Sequence, residues 1–270
     1  MKDAMFDLTG APTITMETSD PKVWKELQEA IKNGYIAGAA SKSNKNKPEA
    51  EVIYEEESKG DNSKVTDDHA FAILDIFDTR DSKGRDVRLL KIRNPWGKFD
   101  QNGNPDIKWE GNWAENSSLW TSNLKQIVSF GQEDGGVFFM DLEEFQKNFE
   151  NVSICQIRDN FESTFRQINL RTSKWAVIEM KVAKSHKELF LTVSQKEKKH
   201  ATSSFDFAAV KLILVQKDSR ERLTYIGSKN NSGRQVFQVF ENLQPGTYQV
   251  YVEVDTLQEV VLSSYSQGSI

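Results

Sequence analysis

From about residue 160 to its end, the chain is a series of short runs in which apolar and polar residues alternate. These are "KWAVIEMKV", "KELFLTVSQ", "AAVKLILVQKD", "LTYIGS", "RQVFQVFEN", "GTYQVYVEVD" and "EVVLSSYS", with polar turns between them. A period of two buries one face of a strand and wets the other. Several such runs at close spacing point to two antiparallel sheets packed face to face. The pattern predicts an all-β sandwich over residues 160–270. Before it the period is mixed, and residues 1–159 read as an α+β unit built on an antiparallel sheet. The change of pattern falls near residues 157–165, and no repeat of fixed period is present.

The upstream half divides further. Residues 20–33 have the spacing of a helix, with Asp20 as N-cap, Pro21 in its first turn, and Val23, Trp24, Leu27, Ala30 and Ile31 on one face. Gly34 stands where a helix C-terminus favours glycine. "GYIAGAA" follows as a short buried strand. Residues 41–68 are polar and charged, and predict a long exposed loop with a short strand at Val52–Tyr54. Such a segment is either a functional loop or a disordered insertion. "HAFAILDIFD" (69–78) and "RDVRLLKIRN" (85–94) then read as strands joined through "RDSKG", a hairpin signal. Residues 98–123 read as loop. "GGVFFMD" is a strand, Asp141 caps a helix whose apolar face carries Phe145 and Phe149, and "VSICQI" is a closing strand.

Composition narrows the function. Of 270 residues, 37% are hydrophobic and 28% charged, the balance of a soluble globular protein. The net charge of −5, with both signs interspersed, is not the footprint of a nucleic-acid binder. No apolar run approaches the ~20 residues that cross a bilayer. "MKDAMFDLTGAP" carries no apolar signal core. The single cysteine, Cys155, excludes an internal disulfide, and a reducing, cytoplasmic location is expected.

The hairpin carries chemistry at its mouth. His69 begins the first strand and Asn94 ends the second, so the two meet in space although 25 positions apart. Two readings stay open. One is structural: a histidine at a strand start, and an asparagine before proline in a turn. The other is catalytic. An imidazole takes a thiol proton while an amide carbonyl accepts from its second ring nitrogen and fixes its tautomer. Pro95 favours extended backbone at Asn94, and Trp96 would cover the pair.

Several motifs occur together in one order: "DLTGAPT", "DDHAFAI", "KIRNPWG", "KWEGNWAENSSLW", "QEDGGVFFMDLEEF" and "VSICQI". This succession resembles the second protease subdomain of the calpains, papain-like intracellular cysteine proteases, over nearly all of residues 4–157. The resemblance implies a papain-like α+β protease subdomain followed by a calpain-type β-sandwich. It implies thiol-dependent hydrolysis of peptide bonds in protein substrates, with His69 and Asn94 as catalytic His and Asn. It also marks what is missing. The calpain nucleophile belongs to a preceding subdomain, and Cys155 matches a non-catalytic strand. The chain is therefore expected to be the later portion of a longer cysteine endopeptidase, inactive alone. The alternatives are a non-catalytic protein- or phospholipid-binding module and complementation by a Cys-bearing chain.

The resemblance further implies calcium. Glu115 and Asp134 fall at ligand-type positions, and Gln132 could offer a carbonyl. Lys108 and Gly136 stand where calcium-regulated members carry acids, so a weak or lost site is expected. In the sandwich, the basic stretch "SQKEKKHA" (194–201) is either a solvated turn or a contact for anionic phospholipid.

Overall fold

The computed structural model describes residues 1–43, 65–95, 109–131, 136–196 and 206–268. The chain folds as two units. One comprises Met1–Met5 with Thr13–Gln156, the other Phe6–Pro12 with Ile157–Ile270.

The first unit is built on one antiparallel sheet of six strands. They are β1 (Thr13–Glu17), β2 (Ile36–Ser41), β3 (Ala70–Arg80), β4 (Asp86–Arg93), β5 (Val137–Asp141) and β6 (Phe149–Cys155). Their order across the sheet is β1-β6-β2-β3-β4-β5. The expected hairpin is β3–β4, with Ala72 paired to Arg93 and Arg80 to Asp86. Strand β4 is covered on both faces, which is why "LLKI" is continuously buried. Leu90 and Ile92 face a core with Phe71, Ile73, Met140 and Phe145, while Leu89 faces a second one with Trp113, Trp120 and Phe139. Lys91 points into that second side. Its Nζ donates to Val128 O at 3.0 Å and lies 5.7 Å from the Phe139 ring centre.

Among the described residues four helices accompany the sheets: α1 (Lys2–Thr9), α2 (Val23–Lys32), α3 (Ser122–Ile127) and α4 (Leu142–Asn148). Helix α2 buries Val23, Trp24, Leu27 and Ala30, as its spacing predicts, and Gly34 takes φ +70° just beyond its end. Its start differs from expectation. Asp20 Oδ1 accepts from Lys22 N at 2.8 Å and closes a turn, so the helix begins at Val23 without a side-chain cap. Helix α4 starts as expected, with Asp141 Oδ1 accepting from Glu144 N at 2.9 Å. Phe145 lies on α4, but Phe149 opens β6; their rings stack at 4.7 Å. The stretch expected as loop over 98–123 runs into α3, capped by Thr121 Oγ1 on Leu124 N. Val52–Tyr54 and Trp96 lie outside the described residues.

The second unit has two four-stranded antiparallel sheets, ordered β11-β10-β13-β8 and β12-β9-β14-β7. The strands are β7 (Glu162–Asn169), β8 (Trp175–Val182), β9 (His186–Ser194), β10 (Ala209–Lys217), β11 (Leu223–Ser232), β12 (Gln235–Leu243), β13 (Gly246–Val254) and β14 (Glu259–Ser266). Seven were expected; β7 is the addition. Alternate residues such as Leu189, Leu191 and Val193, and Val250, Val252 and Val254, fill the core between the sheets. At the N-terminal segment of this unit, Gly10 has φ +67°, and a Cβ there would fall 2.0 Å from Ser163 Oγ. Only glycine fits both constraints.

One turn device occurs in both units. In "DSKGR" (81–85) Asp81 Oδ1 accepts from Lys83 N and Arg85 N, and Oδ2 from Arg85 Nε at 2.7 Å. In "DSRER" (218–222) Asp218 accepts from Arg220 N, Arg222 N and Arg222 Nε in the same way. Burial pushes the Asp81 carboxyl up, but these donors hold it below the ordinary range.

His186 introduces pH dependence into the sandwich. It is buried at the start of β9, its Nδ1 has no hydrogen-bond partner among the described residues, and burial lowers its pKa. The unfolded chain therefore binds a proton that the folded one resists. This contribution to stability is complete above about pH 6.5, the ordinary histidine value. It is lost as pH falls from there toward the lower folded pKa. The urea midpoint of the sandwich is expected to drop over that interval, and His186→Phe to remove that part of the drop. An identical pH profile in the variant would refute the assignment.

Candidate active site at the mouth of the β3–β4 hairpin

Strand alternation puts the two candidate residues on one face. His69, Phe71 and Ile73 share a side of the sheet, as do Asn94, Ile92 and Leu90, and both sets face the larger core. Because Ala72 pairs with Arg93, Asn94 falls opposite Phe71, and His69 is its diagonal neighbour. The side chains meet: His69 Nε2 lies 3.2 Å from Asn94 Oδ1. A carbonyl oxygen only accepts, so a hydrogen bond here requires its proton on Nε2. Asn94 is 5% exposed, and its backbone N donates to Gly136 O at 2.9 Å. Gly136, with φ +86°, thereby fixes the end of β4. His69 is half-buried, edge-on to Phe71 with ring centres 4.9 Å apart.

Ser41, at the end of β2, was not singled out by its sequence context. Its Oγ accepts from His69 N at 2.9 Å, donates to Thr66 O at 2.6 Å, and has His69 O at 3.1 Å alongside. Asp68, just before His69, has φ +52°, a left-handed conformation that aspartate tolerates.

Residues 1–156 match the family described as calpain family cysteine protease. The chain belongs to the calpain family. Among curated relatives it is 26% identical over 167 residues to the calpain-type cysteine protease DEK1 of Zea mays, covering 58% of this chain and 7% of that protein. Against Calpain-14 of Homo sapiens it is 28% identical over 161 residues, covering 58% of this chain and 20% of the relative. Calpain-9 of Homo sapiens is 28% identical over 167 residues, with 57% and 21% covered. The chain thus spans between 7% and 21% of the length of these calpains. A solved structure, the pre-peptidase C-terminal domain of a collagenase from Bacillus anthracis, aligns with 38% of this chain and 86% of its own. At 17% identity and a TM-score of 0.27, that likeness is too slight to bear on fold or function.

Glu115 is exposed in the turn before Trp120, whereas Asp134, Gln132 and Lys108 lie outside the described residues. Among the described residues no group of three or more His, Cys, Asp or Glu side chains could hold a metal ion. Of the "SQKEKKHA" stretch, Gln195 is buried: its amide bonds both backbone atoms of Ala208, at 2.8 and 3.1 Å. Residues 197–201 are outside the described set. Among the described residues no helix is long and apolar enough to cross a membrane.

Proposed function

We propose that residues 1–159 supply the His–Asn arm of a papain-like calpain endopeptidase whose nucleophilic cysteine belongs to a partner subdomain outside these 270 residues. The observation that carries this reading is the 3.2 Å contact of His69 Nε2 with Asn94 Oδ1 at the hairpin mouth, inside the segment that matches the family. In the reaction, Nδ1 of His69 takes the thiol proton, and the thiolate attacks the peptide carbonyl. The imidazolium is held by Asn94 Oδ1 through Nε2–H. It then gives its proton to the leaving amine, and water, deprotonated by the same nitrogen, hydrolyses the acyl-enzyme thioester.

Cys155 is not the nucleophile. It is fully buried in β6, paired with Thr13 on one side and Ile36 on the other. Ile36 begins β2, and Ser41 beside His69 ends it. Five residues of strand separate the two by about 16 Å, several times the reach of a proton transfer. By the resemblance, Lys108 stands where calcium-regulated members carry an acid, and a cation there supports a weak or lost calcium site.

The test is to join this chain behind a calpain Cys-bearing subdomain and measure cleavage of an unstructured protein such as casein. Thiol-dependent turnover, blocked by iodoacetamide and by Cys→Ala in the added part, supports the reading. A folded fusion that binds casein without cleaving it in the presence or absence of calcium overturns it in favour of a binding module.

A further inference from the structure

We infer that Ser41 is a positioning residue for His69, holding the backbone from which the imidazole reaches Asn94. The inference rests on the proposed His–Asn site, but its observations are separate. Strand β2 is in register with β3 up to Ala40, which pairs with Ala70. Its register against β6 on the other side breaks between Ala40 and Ser41. One more ladder step would pair Ser41 with His69 by two backbone bonds. The first is made: Ser41 N donates to His69 O at 2.9 Å. In the second the hydroxyl takes the acceptor role that a continuing ladder gives to the Ser41 carbonyl, receiving His69 N–H at 2.9 Å.

The substitution has a geometric consequence. A regular ladder would carry His69 on as a strand residue with its neighbours extended. With the side chain as acceptor, the chain turns at Asp68 in the left-handed region and the His69 N–H still has an acceptor. The hydroxyl proton goes to Thr66 O, so one side chain ties both sides of that turn. Lys42 O accepts from Asp68 N at 3.3 Å and Ser43 Oγ donates to Asp68 Oδ2 at 3.1 Å, which extends the same seam. Ser41 is 4% exposed, so water does not replace a lost bond there. Ser41→Ala leaves the His69 N–H without its acceptor and frees the turn to relax. The imidazole then loses its fixed direction toward Asn94 Oδ1. Threonine retains the hydroxyl; valine, of the same shape, does not.

The 270-residue chain has three histidines, so each imidazole is resolvable by long-range nitrogen–proton NMR on 15N-labelled protein. In the unsubstituted chain His69 is expected as the Nε2–H tautomer. Asn94→Ala removes that preference. Ser41→Ala is expected to lower the ratio of Nε2–H to Nδ1–H by about 3- to 10-fold, the scale of one hydrogen bond, with the His186 signals unmoved. Ser41→Thr restores the ratio. If Ser41→Ala does not fold, as loss of the dispersed methyl signals of Leu90 and Ile92 in the first unit's core would show, Ser41→Thr and Ser41→Val are compared in the same way. A ratio unchanged by Ser41→Ala, or equal in the Thr and Val variants, while Asn94→Ala shifts it, removes Ser41 from the site and leaves the His–Asn pair standing. No shift with Asn94→Ala removes the pair, and the positioning role with it.

Discussion

His69→Ala, in the protein completed by its Cys-bearing subdomain, is expected to lower kcat/KM for casein cleavage by about 10⁴-fold or more, because the variant has no group to take the thiol proton or to protonate the leaving amine. Asn94→Ala is expected to act less severely. The base remains, but the imidazolium loses one charge-assisted hydrogen bond, worth roughly 1.5–3 kcal/mol, or about 10- to 100-fold in rate. Its effect belongs in kcat more than in KM, since the bond strengthens as positive charge develops on the ring. Asn94 is nearly buried, so Asn94→Ala also leaves a gap beneath the ring. Asn94→Gln, which keeps the carbonyl on a longer arm, separates lost volume from lost hydrogen bond. Equal kcat/KM for His69→Ala and the unsubstituted protein would end the catalytic assignment. Equal losses for His69→Ala and Asn94→Ala would mean that the asparagine is needed to hold the histidine in place, not merely to stabilise its charge.

The hairpin was legible because two independent signals agreed. Alternation fixed the strands, and a turn sequence fixed their joining, so the meeting of His69 with Asn94 followed from topology alone. The β-sandwich was legible for the same reason, through strands buried on one face. Strand β7 was not. Its sequence "ESTFRQIN" buries little besides Ile168; it lies at the edge of its sheet and, among the described residues, pairs with β14 alone. Helix α3 has six residues with Leu124 as its buried anchor, too short for any period to register. Asp20 satisfied the pattern of a cap, but a local bond to Lys22 N competed and won. Ser41 was invisible in principle. A serine at the edge of a polar run has no periodic signature, and its contact is with a residue 28 positions away.

Phe71→Ala is expected to destabilise the first unit by about 3–5 kcal/mol, the range for removing a buried phenyl ring. Phe71 is 3% exposed and stands at the junction of two aromatic contacts, edge-on to Phe149 at 5.2 Å and to Phe138 at 6.1 Å. Phe149 stacks on Phe145, so the ring on β3 is continuous with the packing of β6 and α4. Collapse around the gap is opposed because its neighbours on β2, Ala37 and Ala39, are too short to fill it. Phe71→Leu, which keeps most of the volume, is expected to cost about 1 kcal/mol. The same ring is the floor beneath His69, so the two variants also test how far the site depends on the core. In the completed protein at a temperature where both fold, Phe71→Leu should retain most of its kcat. Phe71→Ala should lose it further than its folded fraction explains, because the imidazole then rests on empty space. Urea unfolding gives the first quantity, and activity per folded molecule gives the second. A Phe71→Ala protein with an unchanged urea midpoint would show that this ring does not anchor the core. One that is destabilised yet fully active per folded molecule would show that hydrogen bonds alone orient His69.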